Sequence, residues 1–174
     1  MTTGTDGVSA IPHPDRADAQ VLALRKPKAD SPAGASHSFP FGVQGHLTMR
    51  LRLEPGSQGA TICLTDFFSL PGHPEAGRFH VGVMTPVSSH IPRTGDEPST
   101  SVVTLAPGQW HTLGFAWDCG KGTCKLSVDY RPVADLPQLS DGPGVCYLRL
   151  RSAAEKTDEA GMLVESVATK ATAW

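Results

Sequence analysis

Residues 110–130 read WHTLGFAWDCGKGTCKLSVDY, and this stretch decides the fold. Leu113, Phe115, Trp117 and Cys119 alternate with polar or small residues, and Cys124, Leu126, Val128 and Tyr130 do the same. A period of two places each set on one face of an extended strand. GKGT lies between them, with two glycines able to take positive φ. The pattern predicts a β-hairpin with a four-residue loop and two strands facing one core.

The hairpin carries two cysteines at its last inward positions, Cys119 and Cys124. Zinc needs ligand pairs that share one tetrahedral ion, and no second pair accompanies this one. A thioredoxin-like centre needs C-x-x-C opening a helix, which is absent. Opposed positions beside a short loop lie near disulfide range, so a Cys119–Cys124 disulfide is expected in an oxidising environment. The alternative is two small buried thiols. Cys63 and Cys146 read the same way and pair only if their strands meet.

Working outward, the same alternation recurs. In GHLTMRLRLEPG (45–56), Leu47, Met49, Leu51 and Leu53 share one face, and His46, Thr48, Arg50 and Arg52 the other. GATICLTDFF (59–68) supplies a strand through Ile62 and Leu64, and RFHVGVM (78–84) one through Phe79, Val81 and Val83. VCYLRLRS (145–152) sets Cys146, Leu148 and Leu150 against Tyr147, Arg149 and Arg151, and MLVESVAT (162–169) makes a closing strand. AQVLALRK (19–26) is a candidate strand with a short helix as its alternative, followed by the turn-rich PKADSPAGASHS. PVSSHIPRTGDEPS (86–99) reads as a long polar loop. Many short strands separated by turn signals predict an all-β, two-sheet sandwich of the jelly-roll kind.

Composition agrees: 18 Gly and 15 Pro in 174 residues break up every long apolar run and disfavour long helices. The length suits one domain, expected over 19–174, with 1–18 as a flexible leader or linker. The formal charge of -2 offers no global basic field, so no nucleic-acid partner is expected. No apolar run reaches the roughly 18 residues that would predict membrane insertion. MTTGTDGVSAIPHPDRADA lacks the basic and apolar regions of a signal peptide, which leaves the compartment open. A secreted or cell-surface location follows only if the chain is part of a glycan-active protein.

Candidate chemistry is sparse. A glycosidase needs two facing carboxyls, but Asp66, Glu75, Asp118, Asp129 and Glu165 are scattered. Glu155, Asp158 and Glu159 crowd one loop, where a solvated cluster is expected. The histidines lack H-x-x-x-H spacing, and no G-x-S-x-G, P-loop or dinucleotide fingerprint appears. Phe67 and Phe68 follow Asp66 in a loop-like segment, where two adjacent aromatics cannot both point inward. Trp110 and Trp117 are expected to pack. Outward faces are the sharper feature: should their strands adjoin, Arg50 and Arg52 with Tyr147, Arg149 and Arg151 form one patch of forked donors suited to acidic groups. Ordinary solvated strand faces are the alternative.

The ordered set GHLTMRLRLEPG, LAPGQWHTLGFAWD, KLSVDYRPVADLP, YLRLRS and GMLVESV resembles the concanavalin A-like lectin/glucanase superfamily, including laminin-G-like jelly rolls. The closing YLRLRSAAEKTDEAGMLVESV also resembles modules of bacterial sialidase-like, BNR-repeat proteins. The resemblance spans roughly Val21 to Ala168. It implies two stacked antiparallel sheets and a non-catalytic carbohydrate-binding module, with acidic glycans as ligands and a carbohydrate-active enzyme as host. The glucanase E-x-D-x-x-E motif is missing, which speaks against hydrolysis. A jelly-roll hydrolase or lyase using Asp66, His80 or Tyr147 is the first alternative, and a structural module packing on a catalytic domain or a second copy is the next. The expected ligand-binding residues are Arg50, Arg52, Tyr147, Arg149, Arg151, Asp66 and His80. No cofactor is expected; calcium would need loop carboxylates such as Asp66 or Asp118, neither in a ligand series.

Overall fold

The computed structural model describes residues 2–4, 6–66, 77–88, 92–94, 97–98 and 101–172. Among them there is no helix. The first half contributes β1 (Thr2–Gly4), β2 (Val8–His13), β3 (Arg16–Lys26), β4 (Gly34–Gly42), β5 (Gln44–Leu53), β6 (Ala60–Thr65) and β7 (Phe79–Met84). Two short strands, β8 (Arg93–Thr94) and β9 (Glu97–Pro98), pair with each other. β10 (Val102–Thr104), β11 (His111–Asp118), β12 (Thr123–Val128), β13 (Arg131–Pro137), β14 (Val145–Ser152) and β15 (Asp158–Thr172) follow.

Two sheets stack. One has six strands in the order β1-β4-β14-β6-β7-β10, antiparallel except for the parallel β7–β10 pair. The other has seven, β13-β12-β11-β5-β15-β3-β2, antiparallel throughout. The predicted jelly-roll sandwich is the observed fold. The alternating residues of β5 and β11 meet Ile62, Leu64, Phe79, Val81, Leu148 and Leu150 of the opposite sheet in one buried core. Each fully buried leucine or phenylalanine there contributes roughly 1.5–3 kcal/mol through area removed from water.

The hairpin at 111–128 forms, with Trp117 opposite Cys124 and Asp118 opposite Thr123. Its four-residue turn is therefore Cys119–Gly122, one residue earlier than GKGT, and Cys119 belongs to the turn. It has no cross-strand position facing Cys124, and all four cysteines are free thiols. The expected Cys119–Cys124 disulfide is not formed. Cys63 and Cys146 do lie on adjacent strands, but Cys63 sits opposite Arg149, so register separates those two as well.

The flexible leader expected over 1–18 is also corrected. From Val8 the chain is an edge strand, with Val8 opposite Leu24 and Ile11 opposite Val21. Ile11 joins Trp110 against a small second cluster of Val21, Ala23 and Leu163 on the outer side of the seven-stranded sheet. Pro12 obscures the alternation in the sequence, yet an edge strand tolerates proline. The segment read as turn-rich holds β4, whose inward positions Ala35 and His37 oppose Leu150 and Leu148. Asp158, expected in a solvated cluster, is only 4 % exposed. Its carboxylate accepts from the Gln58 and Gly161 amides at 2.8 Å, stapling the β5–β6 turn to the start of β15.

Candidate functional site: the outer face of the six-stranded sheet

The alternation that buries Leu148 and Leu150 turns Tyr147, Arg149 and Arg151 to the other side of β14. Register then aligns neighbours with them. Ser36, Arg149, Cys63 and His80 form one row across β4, β14, β6 and β7. Tyr147 lies beside Ser38 and Thr65, and Arg151 beside Gly34 and Thr61. This face is polar but enclosed: Arg149 is 5 % exposed and His80 4 %, whereas Tyr147 and Arg151 are half-buried.

The His80 ring lies 3.4 Å from the Cys63 thiol through Nε2. Gly77 closes over the pair, leaving no room for a Cβ. Burial is the main cause that pushes the His80 imidazole down to about 4, a hydrogen bond with the Gly77 backbone opposes it, and the Arg149 guanidinium lowers it further. The ring is thus neutral at pH 7. Its Nδ1 and the Ser36 hydroxyl, both buried in the Arg149 row, have no hydrogen-bond partner among the described residues. A buried polar atom without a partner costs about 1–3 kcal/mol.

Asp66 follows β6 at one end of this face and is already committed. Arg78, 1 % exposed, pairs with its carboxylate and donates from Nε to the Gly144 carbonyl at 2.7 Å and from Nη1 to the Ser140 carbonyl at 3.1 Å. The pair clamps the 138–144 loop to the sheet. Five of the seven residues expected from sequence, Asp66, His80, Tyr147, Arg149 and Arg151, therefore share one face or its edge. Phe67, Phe68 and Glu75 lie outside the described residues.

Arg50 and Arg52 do not join them. They sit on β5 in the other sheet, facing away on the opposite side of the sandwich, because alternation fixes a face and not the sheet a strand enters. Their forks are held internally. Glu165, at the register shift between Val164 and Ser166, faces outward and pairs with Arg50 at 2.5 Å, Arg16 at 2.6 Å and His13 at 3.1 Å. Arg52 pairs with Glu54 at 2.5 Å. Trp110 stacks on His13 with ring centroids 5.0 Å apart, has both guanidiniums within 5.8 Å of its ring, and donates to Asp15 at 2.7 Å. The indole is thus enclosed by its own chain. Alternation from Met162 and Val164 already turns Glu165 outward, but that it meets Arg50 depends on β15 pairing with β5, which a local period does not encode.

Among the described residues, no three His, Cys, Asp or Glu side chains come together in a group able to hold a metal. No second carboxylate accompanies Asp66 among the described residues of this face. What the face offers is a guanidinium, a phenol, hydroxyls and a neutral imidazole, a set suited to hydrogen-bonding a polar ligand.

These two sheets define a concanavalin A-like, lectin-type jelly roll. Solved structures share it at low identity. A sialidase superposes with a TM-score of 0.73 at 11 % identity over 98 % of this chain, which spans only 17 % of that protein. The exoplasmic/lumenal domain of VIP36, in a Ca2+/Man3GlcNAc-bound form, gives 0.57 at 10 % identity, covering 97 % of this chain and 81 % of that one. The Caenorhabditis elegans galectin LEC-6 gives 0.55 at 14 %, covering 84 % and 96 %. Neither a protein-family model nor a curated protein sequence matches the chain.

Proposed function

We propose that this chain is a non-catalytic, lectin-type module that binds carbohydrate on the outer face of its six-stranded sheet. The observation that carries this reading is the row Ser36–Arg149–Cys63–His80, with a buried guanidinium and two buried polar atoms that have no partner among the described residues. Tyr147 and Arg151, half-buried on either side of Arg149, would meet the ligand first. Its phenol offers a stacking surface, and the guanidiniums match a carboxylate or sulfate bidentately, which favours acidic glycans. The fold neighbours support the reading: VIP36 was solved with Man3GlcNAc, and galectin LEC-6 is of the same fold. The sialidase likeness, over a small part of that protein, supports an accessory role beside a carbohydrate-active enzyme.

A glycan array probed with the intact chain tests this. Binding to acidic glycans is expected, falling at least tenfold in Arg149→Ala and unchanged in Arg52→Ala. An array with no binding, or binding indifferent to Arg149, would refute the reading. One observation favours a lyase instead: a neutral imidazole, a phenol and a guanidinium share the face, the groups needed to take a proton beside a uronate carboxylate. Chain cleavage of a uronic-acid polymer by the isolated protein decides between the two.

A further inference from the structure

A cavity of about 300 Å3 opens between the sheets, at the flank where β3 and β15 face β4 and β14. Leu22, Leu148, Leu150, Val164 and Val167 wall it, with Ala35 as its floor. Two local features leave the space unfilled. Ala35 is small where it faces the opposite sheet, and the bulge in β15 makes Val164 and Val167 the successive inward residues. Glu165 and Ser166, at the bulge, are also among the lining residues, and the Glu165 carboxylate is paired with Arg16, Arg50 and His13. Gln20, exposed, and His37, half-buried, stand at the polar end.

Shape and chemistry restrict the occupant. The lining takes a window of about three residues from each of β3, β4 and β14, roughly 7 Å along a strand. That admits a ring and not an extended chain. An apolar cavity of roughly 150 Å3 holds benzene, so about twice that volume fits one or two fused rings. Burial lowers the His37 pKa, so this end of the cavity carries a neutral imidazole at pH 7 and not a charge.

We propose that this cavity binds a compact, uncharged ring compound carrying one hydrogen-bonding group, of the size of phenol to indole, with the ring among the leucines and valines and the polar atom toward Gln20. The site lies between the sheets, and of the row on the proposed glycan face Ser36 alone is among its lining residues. The test is an amide chemical-shift titration of the intact chain with indole, alongside decanoate as a long-chain anion. Saturable shifts are expected at His37, Leu148 and Val167, with affinity at least tenfold weaker in Val167→Phe, which fills the cavity from a half-buried position. Should that variant not fold, Ala35→Leu narrows the space from the other sheet and is read the same way. Non-saturating or scattered shifts, unchanged affinity in the filled variant, or decanoate saturating the same amides would overturn the proposal.

Discussion

Burial keeps the His80 ring neutral in the folded protein, and that has a consequence for acid stability. The folded pKa of about 4 lies below the ordinary 6.5, so the unfolded chain binds more protons between those values. Stability from this group is complete above pH 6.5 and is lost as pH falls toward 4, by about 2–3 kcal/mol. Urea unfolding at pH 7.5 and 4.5 measures it, and His80→Gln is expected to remove most of the His80 share of that difference. The thiols behave similarly. Burial, then Cys119, pushes Cys124 up to about 12, so its thiolate is scarce at pH 8. Alkylation of the native protein is expected to spare Cys124, whereas denatured protein without reductant takes up four labels. Fewer than four would restore the disulfide.

At the scale of elements, turn chemistry and the β2–β3 hairpin carry the instructive cases. Val128 pairs with Arg131 across a two-residue turn in which Asp129 and Tyr130 both have positive φ, the type I′ geometry that favours glycine at its second position. Tyr130 is 84 % exposed and loses no packing on truncation. Tyr130→Gly is expected to stabilise by about 0.5–1 kcal/mol, a rise of about 1–4 °C in Tm. The β2–β3 hairpin is held down by Trp110, His13 and Asp15. Trp110→Ala should cost about 2 kcal/mol and speed hydrogen exchange at Val8–His13, with amides of the six-stranded sheet little changed. These elements divide by how they display themselves. β5, β11, β12 and β14 were legible because each sets its large apolar residues on one face, and alternation is a direct image of that. β2 and β4 were not, because Pro12 interrupts one and the inward side of the other is Ala35 and His37. Of the site, alternation placed Tyr147, Arg149 and Arg151 outward correctly. It could not say that Arg50 and Arg52 enter the other sheet, since strand pairing depends on long-range topology that a local period does not encode.

The whole molecule is a sandwich with two unlike outer faces. On the seven-stranded sheet, Arg50, Arg52 and Arg16 are paired with Glu165, Glu54 and Asp15, and His13 lies against Glu165, so that face serves its own hairpin. On the six-stranded sheet, Arg149 lies among buried hydroxyls, a thiol and a neutral imidazole. The Arg78–Asp66 clamp fixes one end of that face. Arg78→Met would leave a carboxylate and two carbonyls without their donor, costing about 3–5 kcal/mol in chemical unfolding. The proposed ligand site is placed on the six-stranded sheet because of the row through Ser36, Arg149, Cys63 and His80. The most direct test is residue-resolved mapping: an acidic oligosaccharide titrated into the labelled chain, followed by amide and side-chain shifts. The account predicts saturable changes at Tyr147, Arg149, Arg151 and His80. Changes centred on Arg50, Arg52 and Trp110, or none with any glycan, would contradict it.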